Sequence, residues 1–244
     1  VVVEAFPENV SADGTTMQVK VPTFAISGTV RLKDESIGRL LQVVPRIDSI
    51  GKALFSESLS IGGFGFPEHA ATVDMAGMEL TDTVTSNIFS TNKGRIEFPV
   101  DDSLTLGPVH VRTLGGTSNS PTMTLESIAA VAAAGTAAVA GQPSANPLQQ
   151  ITLHGTGFHA QMGIAFITSD VGGNASRTLV KPDQLIDDTE IRVTVPFDAT
   201  TGDVTIINEA TGKSLRLQII PVITRVDVAS IQGNRLNINL HGNG

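Results

Sequence analysis

The feature that most constrains the fold of this 244-residue chain is internal repetition. A short run of alternating apolar and polar residues that leads into a Gly-rich turn occurs at residues 59–66, 151–158 and 237–244. Self-similarity of this kind is the sequence signature of repeat architectures. Each copy is expected to occupy the same place in a repeated structural unit, so the chain is predicted to be a segment of a tandem array.

Two further landmarks follow that pattern in the same order. The first is a strand-like segment that ends in proline, and the second is a glycine six to eight residues later that opens another strand-like segment. The three pairs are Pro22 with Gly28, Pro99 with Gly107, and Pro196 with Gly202. Their common order indicates a shared unit, since an isolated Gly-rich turn would not bring the other landmarks with it.

The junctions between units are marked by an Ile that is followed three residues later by Ile or Val. These pairs are Ile47/Ile50, Ile128/Val131 and Ile223/Val226. They predict two whole units at 45–125 and 126–221, each about the size of an immunoglobulin-like sandwich. Residues 1–44 then correspond to the C-terminal half of a unit, and residues 222–244 to the N-terminal half of another.

Apolar and polar residues alternate along many segments. In one of them Ile191, Val193 and Val195 alternate with Arg192 and Thr194. A period of two is typical of antiparallel strands with one buried and one solvated face, and no long segment has helical periodicity. The chain is therefore predicted to be all-β. The Ala-rich stretch at 129–141, which overlaps an insertion at 132–147, is interpreted as a weak strand followed by a loop, with a short helix as the alternative.

Composition excludes several function classes. The net charge is −8, which argues against nucleic acid as a partner because binding a polyanion depends on Lys and Arg. There is no Trp or Tyr for stacking platforms, and no Cys for disulfides or thiol chemistry. No run of 18 apolar residues is present, so no membrane span is expected.

Candidate chemical groups are few and loosely arranged. His154 and His159 could approach each other as two metal ligands, although the spacing suggests no third. Pairs of carboxylates could hold calcium, but none has the ligand spacing of a calcium loop, and solvated turns are the competing interpretation. These carboxylates are Asp34 with Glu35, Asp101 with Asp102, and Asp187 with Asp188 and Glu190. No nucleophile elbow, phosphate loop or dinucleotide fingerprint occurs, so no enzyme activity, resident cofactor or catalytic residue is expected.

Taken with their order, the landmarks resemble the IPT/TIG family of immunoglobulin-like domains. That family's pattern has a strand ending in Gly-x-Gly-Phe and, later, Val-Pro followed by a Gly-led strand. Gly155, Gly157 and Phe158, with Pro196 and Gly202, match it well. Gly63, Gly65 and Phe66, with Pro99 and Gly107, match it fairly. The usual Pro-x-x-Gly turn between the first two strands is missing.

The resemblance implies tandem β-sandwiches that act as a spacer or interaction module. The first hypothesis is a non-enzymatic stalk or fibre of a large bacterial extracellular or cell-surface protein, similar to an adhesin, whose partners are neighbouring repeats. A second is a module that binds a surface glycan or protein. A third is an extracellular filament in which half-units of identical chains complete each other by strand exchange.

Overall fold

A computed structural model describes residues 3–53, 58–81, 90–91, 94–99, 106–170, 172–232 and 235–243. The chain divides into two compact units. Unit 1 comprises Val1–Ser49, Ser60–Phe98 and Val109–Ser120, and unit 2 comprises Ile50–Leu59, Pro99–Pro108 and Pro121–Gly244. The described residues form strands, turns and irregular segments, which confirms the prediction of an all-β chain.

Two small hairpins open unit 1. Strands β1 (Pro7–Val10) and β2 (Met17–Val19) form one two-stranded sheet, and β3 (Gly28–Val30) and β4 (Arg39–Leu41) form another. Both pairs are antiparallel. These four strands are short and mostly exposed to solvent.

Two four-stranded sheets follow. The first has the order β5-β6-β10-β9 and the second the order β12-β11-β7-β8. The strands are β5 (Arg46–Lys52), β6 (Ser58–Phe64), β7 (Thr72–Met75), β8 (Met78–Thr81), β9 (Ser90–Thr91), β10 (Arg95–Pro99), β11 (Val109–Thr113) and β12 (Gly116–Thr117). Alternate residues of β6, β7, β10 and β11 are buried and apolar, including Ile61, Val73, Ile96 and Val111.

Unit 2 contains a second sandwich. Its two sheets have the orders β13-β15-β19-β18 and β14-β21-β20-β16-β17. The strands are β13 (Thr124–Ala129), β14 (Ser144–Ala145), β15 (Gln150–Thr156), β16 (Ile164–Ser169), β17 (Ala175–Val180), β18 (Gln184–Leu185), β19 (Glu190–Thr194), β20 (Gly202–Ile206) and β21 (Ser214–Ile219). This is the A-B-E-D against A′-G-F-C-C′ order of immunoglobulin-like sandwiches, so the predicted fold class is confirmed. The predicted domain bounds remain predictions.

The core of this second sandwich is apolar on both inner faces. Its fully buried side chains include Leu153, Ile164, Ile191, Val195 and Ile206. The residues between the core positions of β15, β19 and β20 are polar, as the period of two predicts, whereas β16 is apolar on both faces at Ala165 and Ile167. One pairing departs from the antiparallel pattern, since β14 runs parallel to β21.

Unit 2 ends in a long hairpin of β22 (Val222–Gln232) and β23 (Arg235–Asn243). The register of this hairpin corrects the junction marker. Val226 pairs with Leu240 as Ile128 pairs with Leu153, and each of the two strand pairs has a register shift just before that point. Ile128 therefore corresponds to Val226, the second residue of the pair Ile223/Val226. The predicted pair Ile128/Val131, in which Ile128 is the first residue, is wrong. Val131 is 80% exposed.

The Ala-rich segment is not a strand. Among the described residues, 130–143 adopt bends, turns and irregular backbone after β13 ends at Ala129, so the interpretation as a weak strand was wrong. Alanine is a poor strand former because it packs little surface against a neighbouring strand. No helix in the part of the chain that the structure describes is long and apolar enough to cross a membrane.

Candidate functional site

The Gly-x-Gly-Phe motif of unit 2 closes one end of the sandwich. A Cβ atom on Gly155 would overlap the carbonyl oxygen of Thr124 and lie 2.6 Å from Cζ of Phe158, whose ring is buried. Gly157 has a φ of +73°, a conformation that L side chains rarely adopt. The two glycines therefore have different tasks: Gly155 admits the neighbouring strand and the ring, and Gly157 allows the turn.

The same division of tasks occurs in the copy that unit 1 contains. A Cβ on Gly63 would overlap the carbonyl oxygen of Arg46 and lie 2.7 Å from Cζ of Phe66, which is also buried, and Gly65 has a φ of +76°. In the third copy a Cβ on Gly242 would overlap a backbone oxygen of β22. Residue 244 lies outside the described residues.

The Pro and Gly landmarks occupy turns and strand starts. The carbonyl groups of Pro22 and Pro196 each accept a hydrogen bond from the N–H three residues later, at 2.9 and 3.2 Å. Pro99 is the last residue of β10. Gly28 and Gly202 begin β3 and β20, whereas Gly107 is buried two residues before β11. These residues shape the backbone and present no reactive group.

The more informative polar residues are buried where the chain enters the second sandwich. Asn208 is 0% exposed, and its Nδ2 donates to the carbonyl oxygen of Pro121 at 2.7 Å. Its backbone oxygen accepts from Met123 N at 3.0 Å, and the N–H of Ala210 donates back to Met123 O at 2.8 Å. The entering segment is thus bonded to the β20–β21 hairpin before β13 begins.

Glu209 holds the same hairpin together. The residue is only 2% exposed. Its carboxylate accepts hydrogen bonds from the N–H groups of Thr211 and Lys213, both at 2.7 Å, and from Thr211 Oγ1 at 2.9 Å. A longer bond of 3.4 Å comes from the N–H of Leu125 in β13. Burial raises the pKa of Glu209, but these hydrogen bonds outweigh it and leave the pKa below its usual value.

A side-chain amide performs the corresponding task in unit 1. Asn119 Oδ1 accepts from the N–H of Ile47 at 2.9 Å, and Asn119 Nδ2 donates to the carbonyl oxygen of Ile47 at 3.0 Å. An amide side chain carries a donor and an acceptor side by side, so it can pair with one residue's backbone as a neighbouring strand would. Asn119 thereby attaches the end of unit 1 to its first long strand.

Two more amides hold the insertion where the chain leaves the second sandwich. Asn146 pairs in the same way with the backbone of Ala134, at 2.8 and 3.0 Å, and donates a further bond to Ile220 O at 2.9 Å. Gln218 pairs with the backbone of Val139 at 2.8 and 2.9 Å. Asn146 and Gln218 are 6% and 4% exposed. Asn119, Asn146 and Gln218 thus each bond to both the N–H and the C=O of one backbone residue.

The insertion that Asn146 and Gln218 hold in place borders an open groove of about 430 Å³. Its walls are the end of β13 and the residues that follow it, 128–131, and the insertion residues 137 and 141–144. The lining is mostly apolar, from Ile128, Val131, Pro143 and alanines, with Gln142 and Ser144 as its polar side chains.

In the part of the chain that the structure describes, no group of three or more His, Asp and Glu side chains could hold a metal ion. Asp187 instead accepts hydrogen bonds from Thr189, which lower its pKa. Burial lowers the pKa of His159, and His154 lies opposite Glu190 on the neighbouring strand. Asp101 and Asp102 lie outside the described residues.

Sequence reasoning missed the residues that hold the unit ends. Asn, Gln and Glu usually lie at the surface, so composition and periodicity give no indication that four of them are buried here. A weak signal did exist at Glu209, which lies two residues before the Thr211-Gly212 turn, where its carboxylate can reach backbone N–H groups.

No family model and no curated protein matches the chain. A solved tetra-tandem repeat from the extending region of a large adhesion protein is 15% identical over 82% of this chain, with a TM-score of 0.20. The chain spans 55% of that structure's length, about half.

Two vertebrate structures are similarly remote. Murine CEACAM1b is 8% identical, with 72% of this chain and 99% of that one covered and a TM-score of 0.20. The FN1–FN3 domains of chicken CNTN1 are 12% identical, with 81% and 74% covered and a TM-score of 0.17. The fold assignment rests on the strand order of the chain itself.

Proposed function

We propose that this chain is a non-enzymatic spacer, a run of immunoglobulin-like repeats that holds another part of an extracellular or cell-surface protein at a distance. The observation that carries the proposal is the placement of its buried polar groups. They bind the backbone where the chain enters and leaves the second sandwich, at Asn208 and Asn146, and the exposed Asn119 makes a similar contact in unit 1. Hydrogen bonds are directional, so such contacts limit the directions in which the chain can leave each sandwich.

The repeats are best understood as IPT/TIG-like units of a bacterial surface protein of adhesin type. The order of the Gly-x-Gly-Phe, Val-Pro and Gly landmarks supports that finer assignment. The acidic composition and the absence of Cys agree with it. Neighbouring repeats are the natural partners, and the net charge of −8 disfavours nucleic acid.

The spacer function can be tested by the distance between labels on the two units. The chain has no Cys, so a spin label attaches only at cysteines that are introduced. Thr117→Cys and Gln184→Cys introduce one exposed attachment site on each unit. We expect one narrow distance distribution, and we expect Asn119→Ala to broaden it. A broad distribution in the parent chain that Asn119→Ala leaves unchanged would contradict a spacer and indicate a flexible tether.

Recognition of a glycan or protein is the second candidate, and the groove beside the insertion favours it. The insertion's buried amides are already used to hold its own backbone, which is why the spacer is preferred. Titration with glycan and surface-protein libraries, followed by Val131→Asp, separates the two candidates. A ligand whose affinity falls in that variant would support recognition.

A further inference from the structure

The second sandwich contains a parallel strand pair, β14 with β21. Ser144 lies opposite Gln218, and Ala145 lies opposite Ile219. β21 is the last strand of this sandwich, and β14 follows β13 near its beginning. Because the two strands run in the same direction, the chain enters β14 at one end of the pair and leaves β21 at the opposite end. The pair therefore joins an early and a late part of the sandwich directly.

The direction of the strands decides how the pair responds to tension. When the chain is pulled from both sides, β14 is drawn back toward Pro143 and β21 is drawn forward toward Ile220, so the strands are pulled past each other along their length. The hydrogen bonds across the pair then share the load and must break together. In the antiparallel pair β20–β21, the start of β20 and the end of β21 lie at the same end, so tension would open the bonds one after another.

Hydrogen bonds cross the parallel pair from its beginning to just beyond its end. The N–H of Gln218 donates to Pro143 O at 3.0 Å, and the N–H of Ile220 donates to Ala145 O at 2.9 Å. Asn146 is the first residue after β14, and its Nδ2 donates to Ile220 O at 2.9 Å. The Asn146 side chain thus lengthens the contact by one residue.

The pair is also sheltered from water. Ser144, Ala145, Gln218 and Ile219 are each 0–7% exposed. Ala145 and Ile219 belong to the apolar core of the sandwich. A hydrogen bond that opens at a buried position does not at once find a water molecule as a replacement partner, so breaking it costs more than breaking an exposed one.

The insertion is attached to the same pair. The Gln218 side chain holds both backbone groups of Val139, at 2.8 and 2.9 Å. The N–H of Ser144 donates to Ala130 O at 3.1 Å, and its Oγ accepts from the N–H of Ala132 at 3.2 Å. The segment that leads into β14 is therefore bonded to β14 and β21 at several points.

We propose that the pair β14–β21, extended by Asn146, is a clamp through which the second sandwich bears tension along the chain. The proposal deepens the spacer function, on which it rests, by naming the load that the spacer withstands. A spacer that holds part of a surface protein at a distance transmits any force applied to that part. Tension along the chain meets this pair in the direction in which its bonds share the load.

Single-molecule force spectroscopy tests the clamp by pulling one pair of strands in two directions. Gln142→Cys with Thr224→Cys pulls β14 and β21 lengthwise, whereas Gln142→Cys with Arg216→Cys pulls their neighbouring ends apart. All three positions are exposed. We expect the first opening force to be at least about twofold larger in the lengthwise direction, because several bonds must break together. Equal forces, or a larger crosswise force, would overturn the proposal.

Two variants distinguish the clamp from general stability. Asn146→Ala removes the side-chain bond across the pair and keeps the backbone bonds, so the lengthwise force should fall by about a third while the crosswise force stays unchanged. Asn208→Ala is the matched control, since it removes a buried bond to Pro121 O that does not cross the pair. It should lower stability in urea without lowering the lengthwise force. A fall of the same size in both variants would show that the force follows overall stability, and the clamp would be refuted.

The clamp and the spacer function can fail separately. The label distances between Thr117→Cys and Gln184→Cys are measured without force, so they test the spacer alone. A narrow distance distribution together with equal lengthwise and crosswise forces would overturn the clamp and leave the spacer standing. The comparison of the two pulling directions uses the chain with its buried residues unchanged, so it does not depend on the folding of either alanine variant.

Discussion

Replacing Glu209 by glutamine removes a charge from the hairpin that holds the entrance of unit 2. The side chain keeps its shape, but one acceptor oxygen becomes an NH₂ group that cannot accept. If the amide oxygen takes the Oε2 position it keeps the bonds from Thr211 and Lys213, and the NH₂ group then faces the N–H of Leu125. The substitution therefore weakens three bonds and replaces the fourth by an unfavourable contact between two donors.

The expected cost follows from the strength of those bonds. A hydrogen bond to a charged group contributes about 1.5–3 kcal/mol and a neutral one about 0.5–1.5, a difference of about 1–1.5 per bond, so the three weakened bonds alone correspond to a loss of about 3–4.5 kcal/mol. The assay is the free energy of unfolding in urea, with hydrogen exchange at the amides of Leu125 and Lys213. Glu126→Gln is the control, since it removes the same charge from an exposed position on β13.

The pH dependence makes the reasoning refutable. Because the pKa of Glu209 is lowered in the folded protein, its stabilisation is present at neutral pH and is lost as the pH falls through the folded pKa. The difference in stability between the parent chain and Glu209→Gln should therefore shrink in acid. A loss no larger than that of Glu126→Gln at neutral pH, or one that persists unchanged in acid, would refute the argument.

Three other outcomes are expected. Gly155→Ala should destabilise unit 2 by about 3 kcal/mol or more in urea unfolding, because the new Cβ would meet the backbone of β13 and the ring of Phe158. Gly141→Ala is the comparison: it has open space around it and a positive φ, so it should cost only about 1 kcal/mol. Asn146→Ala should raise hydrogen exchange at Ala134 by removing a buried partner worth about 1–3 kcal/mol, and unchanged protection there would contradict its role. Millimolar calcium should leave the melting temperature unchanged, and a rise would show a calcium site.

The sequence was sufficient for the strands because their signal is local. In β19, Ile191 and Val193 are buried and Arg192 is exposed, as alternation predicts. The landmark glycines were also readable, since a turn with positive φ at Gly65 or Gly157 has few alternatives to glycine. Both kinds of signal depend on a few neighbouring residues.

The junction register was not readable for a different reason. An Ile followed by Val three residues later occurs at 128 and 131, but β13 ends between them and Val131 faces solvent. The register depends on a shift between Leu125 and Ser127, where one extra residue enters the strand. Such a shift changes which residues face the core, and the apolar pattern alone does not reveal it.

The polar residues at the unit ends were missed because their partners are remote in sequence. Asn208 bonds to a carbonyl 87 residues earlier, and Asn119 to a residue 72 positions away. An apolar core resists separation of the sheets but gives little preference for the direction in which the chain leaves, because dispersion forces are weakly directional. The proposed spacer would need hydrogen bonds at the ends of each repeat, and the buried amides and carboxylate at the entrance and exit of the second sandwich, beside an apolar centre, agree with that requirement.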